Sequence, residues 1–154
     1  MEYKCEVLEK TPQPTVSIRT RTSVQDLPQV MGTIYARLGA YLGELGEFPA
    51  GAPFAAYYNM DMQDLDVEIG LPVVRRLPSS GDIQAGEIPG GKFAGCQYNG
   101  PYQDIGPAYE ALTQFVHQNG RQPSGVAYEY YLNDPTETKP EELMTYIVFP
   151  LLES

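Results

Sequence analysis

The segment Tyr128-Glu129-Tyr130-Tyr131 sets one carboxylate among aromatic side chains in a stretch of strand-like composition. Isolated burial of a carboxylate is costly, so the group must find hydrogen-bond donors, take up a proton or meet a cation. Two kinds of chemistry follow: electrostatic capture of a cationic ligand, and general-base activation of a water. A strand glutamate also reads as a solvent-face residue of an antiparallel sheet, its tyrosine neighbours present for β propensity. A second carboxylate in a strand-like run is Glu68, within Leu65 to Val74. Twelve tyrosines and no tryptophan make up most of the aromatic content. A tyrosine ring offers its face to a cation while its hydroxyl meets water or a carboxylate. Tyr57, Tyr102, Tyr131 and Tyr146 are the candidates for a binding groove with Glu129 and Glu68; Tyr35, Tyr58, Tyr109 and Tyr128 are assigned to packing.

Other reactive side chains carry less. His117 is the only histidine, stands at the polar end of a helical pattern and has no GxSxG elbow or cysteine partner in view, so a solvated or capping role is expected. Cys5 and Cys96 are far apart in sequence, show no metal-ligand spacing and read as free, mostly buried thiols. Pro89-Gly90-Gly91-Lys92 lacks the spacing of a phosphate loop and precedes a strand, so it reads as a turn. The acidic clusters at Asp61 to Glu68 and Glu137 to Glu142 lack an EF-hand pattern. No metal and no cofactor are expected.

The elements that must position these groups repeat. Residues 125 to 152 lie over 51 to 74: Phe54-Ala55-Ala56-Tyr57 falls on Tyr128-Glu129-Tyr130-Tyr131, Asn59 on Asn133, and Leu65 to Val74 on Leu143 to Leu152 after a longer loop. Val24 to Leu27 likewise lies over Tyr102 to Ile105. Each half, approximately 1–76 and 77–154, reads as strand, helix, strand, strand. Val16 to Arg21 and Phe93 to Tyr98 are the first strands, the second preceded by a glycine turn. Leu27, Met31, Ile34, Leu38, Leu42 and Leu45 form one apolar helical stripe, and Ile105, Tyr109, Leu112 and Val116 another, stopped by Gly120. In the fourth strands, Val67, Ile69, Leu71 and Val73 share a face with their mates Thr145, Ile147, Phe149 and Leu151, and that face goes under the helices. Glu68 and Tyr146 then point to the uncovered face. If the halves pair about a pseudo-twofold axis, these faces form one groove holding Glu68, Glu129, Tyr57, Tyr131 and Tyr146. The expected fold class is α+β: tandem duplicated βαββ modules with pseudo-twofold symmetry, antiparallel sheets, helices on one side and a ligand groove at the module junction, all within a single ligand-binding domain spanning 1–154.

The 154 residues suffice for one compact domain, and 42% apolar with 19% charged content is globular. Twenty acidic against ten basic residues give a net charge of −10. That sign repels phosphate backbones and attracts cations, which argues against direct nucleic-acid binding. Met1 to Cys5 lacks the charged segment and apolar run of a secretory signal, and no apolar stretch is long enough to span a bilayer, so a cytoplasmic protein without membrane contact is expected.

Gly51-Ala52-Pro53-Phe54-Ala55, Asp66-Val67-Glu68-Ile69-Gly70-Leu71-Pro72-Val73, Gly100-Pro101-Tyr102, Tyr128-Glu129-Tyr130-Tyr131 with Asp134-Pro135, and Thr145-Tyr146-Ile147-Val148-Phe149-Pro150-Leu151 together resemble the gyrase-inhibitor-like (GyrI-like) small-molecule-binding family. That family includes the effector-binding domains of AraC-type and multidrug-sensing MerR-type regulators. The resemblance covers nearly the whole chain. It implies binding of diverse lipophilic cations through a buried glutamate and aromatic rings, with Glu129 matching that glutamate and Glu68 matching the Val-Glu-x-Gly-x-Pro segment. No helix-turn-helix or coiled-coil segment accompanies these motifs, so the chain looks like a stand-alone member. Three functions are weighed: sensing or sequestering cationic amphiphiles; hydrolysis of strained electrophiles with Glu129 guiding water, as in some proteins resembling the family; and a protein partner such as gyrase, met by an acidic surface.

Overall fold

The computed structural model describes residues 3–152; Met1 and Glu2 of the N-terminal segment considered above lie outside them. The chain divides into two compact units, one of Thr11–Gly90 and one in which the N-terminal strand joins the chain from Gly91 onward.

The Thr11–Gly90 unit contains β2 (Gln13–Thr22), α1 (Leu27–Glu44), β3 (Phe54–Tyr57), β4 (Leu65–Pro72) and β5 (Gln84–Ile88), following β1 (Cys5–Lys10) in the chain. Its strands are antiparallel, β4 lying between β3 and β2, with β5 on the far side of β2. Helix α1 packs on β2 and β4 and buries Ile34, Leu38 and Leu42, three positions of the expected stripe. It starts with Pro28 in its first turn and ends where Glu47 N–H reaches back to the Leu42 carbonyl. Gly46 makes that turn at φ 70°, a backbone region only glycine enters freely. On β4, Val67 and Ile69 are fully buried.

The other unit contains β1, β6 (Gly91–Asn99), α2 (Gly106–Gln118), β7 (Ala127–Tyr131) and β8 (Met144–Pro150). It is also antiparallel, β8 lying between β7 and β6, with β1 on the far side of β6. Helix α2 opens with Pro107 in its first turn after a short 3-10 turn at Tyr102–Asp104. It closes with Arg121 N–H bonded to the Val116 carbonyl and Gly120 at φ 66°, the stop expected there. Ala108, Leu112 and Val116 of α2 form a core with Ala94, Cys96 and Tyr98 of β6 and Ile147 and Phe149 of β8.

The strand, helix, strand, strand order is present in each unit, but each carries a further edge strand. The expected halves at 76/77 do not follow the strand pairing: β1 precedes the first unit yet pairs with β6, and β5, beyond residue 77, pairs with β2. The same hydrogen bonds recur in both units. Asn59 takes the Asp66 N–H and donates to the Asp64 carbonyl; Asn133 takes the Met144 N–H and donates to the Glu142 carbonyl, all four at 3.0 Å. No helix among the described residues is long and apolar enough to cross a membrane.

Candidate functional site

Glu129 lies in β7 directly opposite Ile147 of β8, and Tyr131 opposite Thr145. Directly opposed residues of an antiparallel pair put their side chains on one face. Glu129 and Tyr131 therefore share the face on which Ile147 packs under α2. This corrects the expected placement of Glu129 with Tyr146 on an uncovered face. Alternation within one strand does not fix which residues of the next strand share its face; the register does, and a slip of one residue inverts it.

On the α2 side the carboxylate is 9% exposed and both of its oxygens accept tyrosine hydroxyls. Tyr109, from the first turns of α2, donates to Oε2, and Tyr131 donates to Oε1 at 2.9 Å. The Tyr102 ring, from the 3-10 turn before α2, meets the Tyr131 ring edge-on with centroids 5.7 Å apart. Tyr109 in turn leans on Phe149, centroids 5.8 Å apart. Burial pushes the Glu129 carboxyl above the usual range, and the two hydroxyls, which favour the anion, only partly offset this. The Tyr102 hydroxyl is also pushed up, first by burial and then by the charge of Glu129. The arginine ion pairs among the described residues, at Arg19, Arg21, Arg37 and Arg75, lie in the other unit.

The remaining candidates sit elsewhere. Tyr146 is on the opposite face of β8 from Ile147, where its hydroxyl reaches over Gly95 to Glu6 Oε1 at 2.6 Å. Burial, then the bond to Glu6, raises its pKa. On that same face the Lys10 ammonium stands 5.0 Å from the centroid of the Tyr130 ring, so an internal cation already covers this aromatic. Glu68 belongs to the Thr11–Gly90 unit, where Ser17 donates to Oε2 and Tyr58 to Oε1, each at 2.5 Å. The Arg19 guanidinium lies 3.9 Å over the Tyr58 ring and pairs with Asp66. Tyr57 is opposite Val67, hence on the reverse face of its sheet from Glu68, which is opposite Ala56.

The structure thus brings together Glu129, Tyr131 and Tyr102, and separates Tyr146 from them within one unit. Tyr109 and Tyr58, assigned to packing from the sequence, are instead the donors to the two glutamates. The signal for Tyr109 was present: a tyrosine on the buried stripe of a helix needs a partner for its hydroxyl, and Glu129 needed donors. His117 is exposed in the last turn of α2, where a basic side chain suits the helix dipole.

Comparison with solved structures places the fold. The crystal structure of the EcmrR C-terminal domain superposes with a TM-score of 0.78 at 22% identity, covering 100% of each chain. EcmrR in its complex with DNA gives 0.86 at 21% identity over 99% of this chain, which spans 58% of that one. SAV2435 bound to tetraphenylphosphonium gives 0.65 at 14% identity, covering 99% of this chain and 94% of that one, and a hydrolase from Listeria innocua gives 0.72 at 14%, covering 97% and 92%. No curated protein matches by sequence. The model of the GyrI-like small molecule binding domain matches residues 3–152, so the chain belongs to the GyrI-like family of small-molecule-binding domains.

Proposed function

We propose that this domain binds lipophilic cationic small molecules, for sensing or sequestration, with Glu129 as the anionic contact and Tyr102, Tyr109 and Tyr131 as its aromatic surround. The observation that carries the reading is the Glu129 carboxylate itself. It is buried, its two hydroxyl donors are neutral, and burial outweighs them in setting its protonation. A cation arriving there neutralises a charge that the fold holds at a cost, while rings supply adaptable apolar contact. SAV2435, a structural neighbour, binds one such cation. Titration of a cationic rhodamine-type dye, followed by fluorescence anisotropy, tests this. Wild type is expected to bind in the micromolar range and Glu129→Gln at least tenfold more weakly, about 1.4 kcal/mol. Equal affinity for a neutral dye of the same shape would remove the reading.

We also infer that the two units are duplicated copies of one module. Support comes from the matched asparagine bonds of Asn59 and Asn133 and the matched helix stops at Gly46 and Gly120. On this alignment Tyr35, Ala55 and Tyr57 stand where Tyr109, Glu129 and Tyr131 stand in the other copy. Tyr35 donates to the Phe54 carbonyl at 2.6 Å, a backbone partner in place of a carboxylate.

A second reading is hydrolysis of a strained electrophile. A carboxyl shifted upward and flanked by tyrosine hydroxyls is suited to exchange a proton with water, and one structural neighbour is described as a hydrolase. Turnover of such a substrate that survives Glu129→Ala would exclude this mechanism.

A further inference from the structure

Cys5 and Cys96, so distant in sequence, are directly opposed partners in the β1–β6 ladder. Opposed residues of an antiparallel pair have Cα atoms about 4.5 or 5.5 Å apart with side chains on one face; a disulfide spans roughly 4.4–6.8 Å. Cys96 is fully buried in the core under α2, and half-buried Cys5 packs against it. Cys5 is among the groups that act on the Cys96 thiol. Access is one-sided: Cys5, with Tyr3, Ala111 and Phe115, lines a surface depression of about 400 Å³, whereas Cys96 does not reach it.

We propose that Cys5 and Cys96 form a dithiol that closes to an intramolecular disulfide by exchange with a small, neutral disulfide reaching Cys5 through this depression. Cys5 Sγ, deprotonated to solvent, attacks one reagent sulfur; the reagent S–S bond breaks and one thiolate leaves with its electron pair. Cys96 Sγ then loses its proton and attacks Cys5 Sγ, expelling the second reagent thiolate. Two protein thiols are oxidised and one reagent disulfide is reduced to two thiols. Burial, then the charge of Cys5, pushes the Cys96 thiol up to about 12, so closure is the slower step.

The bond would have a long reach. The loop between the two cysteines contains the whole Thr11–Gly90 unit, and the crosslink joins the two strands through which that unit is inserted. Closing so long a loop restricts the unfolded chain strongly.

Wild-type protein treated with dithiodipyridine, a neutral chromogenic disulfide, is expected to release two thiopyridones per chain in a fast and a slow phase. The product should lack two hydrogen atoms, carry no adduct, stay monomeric on a non-reducing gel and yield joined peptides containing Cys5 and Cys96. Its Tm should rise by roughly 10 °C and return with a dithiol reductant. Cys5→Ser should lose the fast phase and the joined peptides. A stable pyridyl adduct on Cys5 beside a free Cys96 thiol, or a chain-to-chain crosslink, would overturn the proposal.

Discussion

Burial and two tyrosine hydroxyls pull the Glu129 proton in opposite directions, and burial prevails, leaving the folded-state pKa above the unfolded value of about 4.5. The folded state therefore holds this proton more tightly than the unfolded chain. Its contribution to stability is fully present below the unfolded pKa and is lost as pH rises through the folded one. Glu129→Gln, which cannot ionise, should be more stable than wild type at pH 7, the difference shrinking towards pH 4; urea melts across that range measure it, and a less stable variant at pH 7 would contradict the assignment. Tyr109→Phe removes one donor from a buried carboxylate, at a cost of about 1–3 kcal/mol where the group is ionised. It should raise the pH midpoint of dye binding, whereas a purely structural Tyr109 would leave that midpoint unmoved. Glu129 was legible in the sequence because a charge among strand tyrosines is anomalous. Tyr109 was legible in its need for a hydroxyl partner, but the partner's identity was not, because Glu129 comes from a strand twenty residues away whose facing is set only by pairing.

At the scale of elements, the helices were legible to within a residue or two, since apolar stripes and glycine stops are local signals. Strands β1 and β5 were not: they are edge strands with mostly exposed or half-buried side chains and little alternation to read. The face of Glu129 was misplaced for the related reason that register is a non-local property. Close backbone approach is non-local too, and Gly70 shows its consequence. A Cβ there would stand 2.6 Å from the Phe54 ring and 2.9 Å from the Val16 carbonyl oxygen, one of them backbone of the neighbouring strand. Gly70→Ala should cost about 1–3 kcal/mol by overpacking. Gly86→Ala, whose Cβ would meet only the Thr15 hydroxyl at 3.5 Å, should change stability by less than about 0.5 kcal/mol. Chemical denaturation of the two variants compares them directly.

For the molecule as a whole, the net charge of −10 draws cations without choosing where they stop. On the proposed reading the choice falls to the carboxylate whose burial is offset only by uncharged hydroxyls, and the two units differ in this. Glu68 is held by Ser17 and Tyr58 beside Arg19 and Asp66, whereas Glu129 is buried with hydroxyls alone. Calorimetric titration with tetraphenylphosphonium should therefore give one site per chain. Glu68→Gln should leave its affinity within about twofold, and Glu129→Gln should weaken it at least tenfold, by ~1.4 kcal/mol. Raising the ionic strength should weaken binding only modestly, because a buried contact is screened far less than the diffuse surface field. Two equivalent sites, or affinity that collapses with salt in wild type and Glu129→Gln alike, would mean that the acidic surface binds the cation and that Glu129 has only a structural role.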